Sequence, residues 1–129
     1  MLKVCCALIK NENKFLITQR LDNSRMPGKW EFPGGKIEAG ESPENCIIRE
    51  IKEELNIEID LVEGMLSIHH AYPEFEIELI PFLCKIQDLS TFQLLVHKHY
   101  MWVSQDMFRE IDFCEADREL IRFNFLDNS

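Results

Sequence analysis

The sequence predicts an α/β fold in which a single domain spans residues 1–129, and three observations support this. Short runs typical of β-strands occur at residues 4–9, 15–18, 57–65, 75–79 and 100–103. Residues 43–55 and 115–125 instead carry apolar side chains at helical spacing. The 129 residues suffice for one sizeable core, and 46% hydrophobic and 29% charged residues are typical of a soluble globular protein.

The N-terminal third should contain two strands, a loop and a third short strand. The first two strands should form a hairpin, because the turn-prone run Asn-Glu-Asn at residues 11–13 separates them. Residues 21–29 are polar and include a Pro-Gly pair, which predicts a loop. A strand at residues 30–32 then leads into a glycine-rich loop at residues 33–35, where the backbone can come close to a ligand.

The first predicted helix has a signal at each end. Ser42 is a good N-cap, and Pro43 suits the first helical position, where a missing N–H costs nothing. Asn56 tolerates the left-handed conformation that ends many helices. The predicted buried face of this helix consists of Ile48, Ile51 and Leu55.

A second face of this helix carries Glu50, Glu53 and Glu54, at positions i, i+3 and i+4. Like charges at this spacing repel each other, so folding alone does not favour them. Mg²⁺ or Mn²⁺ would reverse the sign of the interaction, because both ions prefer oxygen ligands. The alternative is a solvated acidic face in an acidic protein. Arg49 lies one turn before Glu53 and can pair with it.

The sequence around this helix resembles the Nudix box. Gly35 is followed after five residues by Glu41, and after seven more by Arg-Glu-Ile-Lys-Glu-Glu-Leu at residues 49–55. The family usually has glycine where this chain has Asn56, which is the next-best residue for a left-handed cap. The run Trp-Glu-Phe-Pro-Gly-Gly-Lys at residues 30–36 is similar to the MutT-type subgroup. The resemblance implies a Nudix-type α/β/α sandwich with a mixed β-sheet.

The resemblance also implies an activity, which is Mg²⁺-dependent hydrolysis of a nucleoside triphosphate to the monophosphate and pyrophosphate. Glu50, Glu53 and Glu54, with the backbone carbonyl of Gly34, would bind the metal. Of these acids Glu50 would take the proton of the attacking water, although the three could exchange roles. Arg49 would orient the acidic side chains. Mn²⁺ could replace Mg²⁺. The alternatives are hydrolysis of another nucleoside diphosphate derivative, or a nucleotide-binding Nudix module without turnover.

Three further residues match positions that contact substrate in MutT-like enzymes: Arg20, Phe32 and Asp117. Lys36 is a fourth substrate candidate, because its positive charge could neutralise phosphate. A solvated charge is the alternative for Arg20 and Lys36, and a core aromatic for Phe32. Asp117 matches the asparagine of the oxidised-guanine enzymes. An ionised aspartate only accepts hydrogen bonds and suits the amine of cytosine, whereas a protonated one could also read 8-oxo-dGTP. The alternative for Asp117 is an acid stabilised at a helix N-terminus.

The C-terminal half should add strands and a final helix. Residues 75–79 alternate strictly and predict a half-buried strand, but Pro81 should place its end at an edge or a bulge. Ser104 should cap a short helix. The final helix, residues 115–125, is predicted from the spacing of Ala116, Leu120 and Phe123.

Histidines offer weaker signals. His97 and His99 would lie on one face of a strand and could bind metal, although a structural or surface role is favoured because no third ligand is near. Adjacent His69 and His70 should point to opposite faces. MutT-like chains often carry a glutamate just before a His-x-x-x-x-Trp pattern, and this chain has Val96 there.

Composition restricts the partners. A net charge of −9 disfavours nucleic-acid polymers and anionic membranes, but it leaves a small nucleotide possible. The five cysteines are odd in number and have no Cys-x-x-Cys spacing, which favours free thiols in a cytoplasmic protein. The sequence shows no signal-peptide core and no transmembrane span. A monomer or homodimer is expected.

Overall fold

A mixed β-sheet lies between two α-helices in the computed structural model, which describes residues 1–125. Its strands are β1 (Leu2–Asn11), β2 (Lys14–Gln19), β3 (Trp30–Glu31), β4 (Gly34–Lys36), β5 (Ile59–Gly64), β6 (Ile68–Ala71), β7 (Glu76–Ile86) and β8 (His99–Val103). Its helices are α1 (Pro43–Leu55), α2 (Glu115–Phe125) and a 3₁₀ turn at Gln105–Glu110. The α/β/α prediction is confirmed. The prediction of one domain over residues 1–129 extends to four residues outside the described range.

Strand β1 is central and has partners on both sides. It pairs in parallel with β7, from Leu2 opposite Ile77 to Ile9 opposite Cys84, and antiparallel with β2 and β4. The main path through the sheet runs β3-β2-β1-β7-β5, with β8 added to β2 and β6 to β7. The predicted hairpin joins β1 and β2, because a left-handed turn connects these strands.

The two faces of β1 bury separate apolar clusters, since alternate side chains of a strand point to opposite faces. On one face, Cys5, Ala7 and Ile9 pack in the cluster that contains the buried residues of α1. On the other face, Cys6 and Leu8 belong to the cluster that contains the buried residues of α2. Each helix therefore covers one face of the sheet, which fixes α1 against the strands that carry the glycine run.

The ends of α1 confirm the sequence prediction. The Ser42 hydroxyl accepts a hydrogen bond from the backbone N–H of Asn45, and Asn56 closes the helix at φ 57°. The buried face is only partly as predicted, because Cys46 and Ile47 are buried and Ile48 is 37% exposed. Ile51 and Leu55 are buried as predicted, so the prediction is wrong for Ile48 alone.

The final helix has the predicted bounds, Glu115–Phe125, with Ala116 and Leu120 buried. Phe123 is exposed, so its position in the predicted apolar stripe is wrong. All five cysteines are free and buried, as predicted. Neither helix within residues 1–125 has the length and apolar character that crossing a bilayer requires.

The two glycines belong to strand β4, so the loop prediction is wrong for Gly34 and Gly35, whereas Pro33 lies in a bend before the strand. Gly34 and Gly35 pair with Cys6 and Cys5 of β1. A Cβ atom at Gly34 would lie only 2.0 Å from the carbonyl oxygen of Cys5. Glycine is required here because two backbones approach closely, which also happens in sheets.

The prediction that Pro81 marks an edge or a bulge is also wrong, because β7 continues through it to Ile86. The carbonyl oxygen of Pro81 accepts a hydrogen bond from Met65, on the side of β7 where the partner changes from β6 to β5. Since the N and C=O of one strand residue point to the same side, the missing N–H falls in this gap. The pairing with β1, opposite Cys6, continues through Pro81.

Candidate active site

Strand β4 and helix α1 bring a carboxylate against the backbone. A Cβ atom at Gly35 would lie 2.3 Å from the carboxyl carbon of Glu50 and 2.4 and 2.5 Å from its oxygens. Glycine at this position therefore leaves the space that the Glu50 carboxyl occupies. Glu50 is mostly buried, with its side chain 14% exposed.

Arg49 holds the acidic side chains in place. Its guanidinium donates to both oxygens of Glu41, at 2.6 and 3.0 Å, and to Glu50 and Glu53 at 3.1 Å each. The hydrogen bond from Arg49 is the main reason that the pKa of Glu41 is lowered to about 2. The contact with Glu53 is the pairing that the i,i+4 spacing predicts. Arg49 thus orients three carboxylates with one planar group.

The charged form of the Glu54 carboxyl is unfavourable in this site. Burial, followed by the neighbouring Glu50 and then Glu31, raises the pKa of Glu54 to about 9. Its Oε1 atom is buried without a hydrogen-bond partner. Glu53 differs, because its side chain is 58% exposed.

These carboxyl groups suit a divalent cation, although they are not pre-assembled around one point. Within residues 1–125, no three His, Cys, Asp or Glu side chains already converge as ligands. However, an unpartnered carboxylate oxygen on Glu54 and repulsion between Glu50 and Glu54 are both relieved by a cation bound to oxygen. Gly34 lies beside them, since its backbone N–H partly offsets the rise in the pKa of Glu54.

A cavity of about 570 Å³ lies on the α2 side of the glycine strand. All four residues predicted to contact substrate line it: Arg20, Phe32, Lys36 and Asp117. Gly34 and Gly35 line the same cavity. The structure therefore brings the substrate candidates together beside the glycine strand, and Glu50, which α1 carries, lies against Gly35 of that strand.

Asp117 is buried at the cavity, with 6% exposure. Its Oδ2 atom accepts a hydrogen bond of 2.9 Å from the backbone N–H of Phe32. Burial, followed by the charge of Glu31, raises the pKa of Asp117 well above its usual value, against the opposing effect of Arg20. The start of α2 is held beside β3, because the N–H of Cys114 donates to the carbonyl oxygen of Trp30.

The other substrate candidates differ in exposure. The ring of Phe32 is 3% exposed and stacks on Phe113 with centroids 5.5 Å apart, so it is part of the core as well as the cavity wall. Arg20 pairs with Glu31 at 3.0 Å. Lys36 is exposed at the end of the glycine strand.

Sequence reasoning missed Glu31 and underestimated His97. His97 precedes β8, so it does not share a strand face with His99 as predicted, and its side chain is only 5% exposed. Its Nε2 atom lies 3.1 Å from Glu31 Oε2 and 3.9 Å from Glu54 Oε1. The strict alternation at residues 30–32 could have shown that Glu31 and Phe32 point to opposite sides of one backbone.

The fold is a mixed sheet between two helices. At the site, an acidic helix bound by an arginine lies against a glycine strand. Comparisons with known proteins identify the family that has this fold. The NUDIX domain family matches residues 4–123. This chain therefore belongs to the Nudix family.

Three of the similar curated proteins illustrate the activities for which these relatives are named. The CTP pyrophosphohydrolase of Escherichia coli K12 is 32% identical over 94% of this chain and 89% of its own length. The 8-oxo-dGTP diphosphatases of Escherichia coli K12 and Proteus vulgaris are 38% and 41% identical over 60% and 55% of this chain. These two matches span 61% and 63% of the relatives' own length.

Solved structures confirm the fold. The solution structure of the Escherichia coli ORF135 protein superimposes with a TM-score of 0.81 at 31% identity, over 95% of this chain and 87% of that one. The crystal structure of the MutT protein from Methanosarcina mazei Go1 gives 0.83 at 28% identity, over 94% and 90%.

Proposed function

We propose that this chain hydrolyses a nucleoside triphosphate to the monophosphate and pyrophosphate. Mg²⁺, or Mn²⁺ in its place, would be held by Glu50, Glu53, Glu54 and the carbonyl group of Gly34. When bound, the cation would neutralise phosphate charge and lower the pKa of the attacking water. The observation that carries the proposal is that one cavity is lined both by the substrate candidates and by the glycine strand against which Glu50 lies.

The protein's own groups supply the positioning that phosphoryl transfer needs. Glu50, held at one oxygen by Arg49, is the group that takes a proton from water. Lys36 is exposed at the cavity and can approach a phosphate oxygen as a mobile positive charge. The guanidinium of Arg49 already donates hydrogen bonds to three carboxylates, so Arg49 orients these groups rather than binding the substrate.

Asp117 is the group that reads the base. A buried aspartic acid in its neutral form both donates and accepts, and it can pair with the ring nitrogen and the exocyclic amine of cytosine. Cytidine-type triphosphates are therefore the first candidate substrates, and a relative that matches 94% of this chain is named a CTP pyrophosphohydrolase.

Oxidised purines such as 8-oxo-dGTP are the second candidate. Their oxidised ring presents a donor next to an acceptor, which the same neutral carboxyl can bind, and further relatives are named 8-oxo-dGTP diphosphatases. Hydrolysis of an oxidised nucleotide such as 8-oxo-dGTP would make this a nucleotide-pool sanitising enzyme. It would act in the cytoplasm on free nucleotides, as a monomer or homodimer, and the net charge of −9 disfavours polymeric nucleic acid and membranes as partners.

Pyrophosphate release from a panel of triphosphates with Mg²⁺ tests the proposal. The panel contains CTP, dCTP, dGTP, 8-oxo-dGTP, ATP and UTP, and we expect one of the two candidate classes to have the highest kcat/KM. Asp117→Ala should lower kcat/KM for the best substrate far more than for poor ones, because a site built around a base contact loses discrimination without it. Absence of Mg²⁺-dependent pyrophosphate release from every substrate would contradict the activity. An equal loss for all substrates would show that the base is read elsewhere.

A further inference from the structure

Main-chain hydrogen bonds fix His97 between α1 and β2. The N–H of Leu95 donates to the carbonyl oxygen of Glu54 at 3.0 Å. The N–H of Lys98 donates to the carbonyl oxygen of Gln19 at 2.8 Å. The segment is therefore attached to the last turn of α1 before His97 and to the end of β2 directly after it. These two hydrogen bonds fix the position of the backbone that carries the imidazole.

The imidazole lies between two carboxyl groups. Its Nε2 atom is 3.1 Å from Glu31 Oε2 and 3.9 Å from Glu54 Oε1. Carboxylate oxygens accept hydrogen bonds, so Nε2 carries the hydrogen. The other oxygen of Glu31 accepts from Arg20 at 3.0 Å. A continuous series of contacts thus runs from Arg20 at the cavity, through Glu31 and His97, to the acidic face of α1.

Glu54 lacks another donor at the oxygen that faces this ring. Its Oε1 atom is buried and makes no hydrogen bond in the described structure. Among the described Lys, Arg and His side chains, His97 is the one within 4.0 Å of the Glu54 carboxyl. A small rotation of either side chain would bring the Nε2–H into hydrogen-bond range of Oε1.

The segment at residues 95–98, which carries His97, contains no acidic residue. Val96 occupies the position at which MutT-like chains often carry a glutamate, and its side chain is 46% exposed. The neighbouring His97 is turned inward, with its side chain 5% exposed. The contribution of this segment to the acidic site is therefore made by a hydrogen-bond donor to a helix carboxyl.

We propose that His97 is a positioning residue that fixes the carboxyl group of Glu54 for cation binding, by sharing its Nε2–H between Glu31 and Glu54. The inference rests on the proposed function in one respect, which is that Glu54 is a ligand. Partners that orient a metal-binding carboxylate typically contribute 10- to 100-fold to metal affinity, so about that loss is expected without the donor.

Binding of Mn²⁺ alone to the metal-free, full-length protein tests this by isothermal titration calorimetry. His97→Gln and His97→Asn are the informative pair, because the glutamine amide reaches the position of Nε2 and the shorter asparagine amide does not. We expect His97→Asn to weaken Mn²⁺ binding about 10- to 100-fold, and His97→Gln to stay within about threefold of wild type. His99→Gln is the matched control, because His99 is exposed in β8 and should leave the affinity unchanged.

Glu54→Gln separates this inference from the proposed function. If Glu54→Gln weakens Mn²⁺ binding and His97→Asn does not, the role of His97 is wrong while the metal site stands. If His97→Gln binds as weakly as His97→Asn, the ring acts only by packing and the inference is overturned. Wild-type affinity in Glu54→Gln would overturn it too, since His97 would then have no ligand to position. Melting temperatures of all four variants show whether each is folded.

Discussion

Gly35→Ala should disable the acidic site and leave the fold intact. The added Cβ atom would lie 2.3 to 2.5 Å from the carboxyl atoms of Glu50, so that carboxyl must retreat by about 1 Å to reach ordinary contact. A misplacement of this size costs on the order of 10²-fold in rate. The atoms that the new Cβ would meet are the end of a flexible side chain and can rotate away, so the loss of stability should be no more than about 1 kcal/mol.

Gly34→Ala is the matched control, because it adds the same methyl group one residue earlier. Its Cβ atom would meet backbone, at 2.0 Å from Cys5 O and 2.6 Å from Cys6 Cα, and backbone cannot rotate away. We expect this variant to lose about 1–3 kcal/mol or more of unfolding free energy. Pyrophosphate release and thermal melting, measured on both variants, distinguish the two effects. Near-normal turnover in Gly35→Ala, or a melting temperature as low as that of Gly34→Ala, would refute the reasoning.

Two further predictions concern the acids and the thiols. Glu53→Gln should lower kcat by several powers of ten, while the unfolding free energy stays within about 0.5 kcal/mol of wild type because Glu53 is 58% exposed. Mg²⁺ should raise the melting temperature of the wild type by mass action. Near-normal turnover in the variant would show that Glu53 is not part of the metal site. Thiol titration of the unfolded, non-reduced protein should find five free thiols. The thiols of the native protein should react slowly, because burial raises their pKa, to about 12 for Cys84. A count of three or fewer in freshly purified protein would show disulfides.

Local signals predicted the helices correctly because each signal acts within a few residues. The hydroxyl of Ser42 and the left-handed Asn56 determine where α1 begins and ends, and neither depends on the rest of the chain. The acids of α1 were also predictable, because helical spacing alone places Glu50 and Glu54 one turn apart. Arg49 was predictable for the same reason.

Features that depend on distant partners were not predictable. Pro81 was assigned to an edge because its sequence neighbours cannot show that β7 changes partner at that residue. The glycine run was assigned to a loop because β1, its partner, is about thirty residues away in sequence. His97 is the clearest case, since its role depends on Glu31 and Glu54 meeting across the fold. Burial of Asp117 similarly follows only from the packing of α2 against β3.

Asp117→Asn tests whether the base reader is a neutral acid. The pKa of Asp117 is raised above its unfolded value of 3.8, first by burial and then by Glu31, so its contribution to stability is complete below about pH 3.8 and is lost as the pH rises towards the folded-state pKa. Asparagine does not ionise and can still accept from the N–H of Phe32. The unfolding free energies of the two proteins, and with them the melting temperatures, should therefore agree near pH 4 and diverge above it in favour of the variant. The divergence in free energy should be up to about 1.4 kcal/mol per pH unit.

This comparison is centred on one position, because every other side chain is common to both proteins. Asparagine also keeps one donor and one acceptor, as a neutral carboxyl does. The variant should then retain most of its kcat/KM for the preferred base at pH 7, whereas Asp117→Ala should not. A difference in melting temperature that does not change between pH 4 and 8 would mean that Asp117 is ionised in the folded protein. In that case the aspartate can only accept hydrogen bonds, and of the two candidate bases it would favour the amine of cytosine.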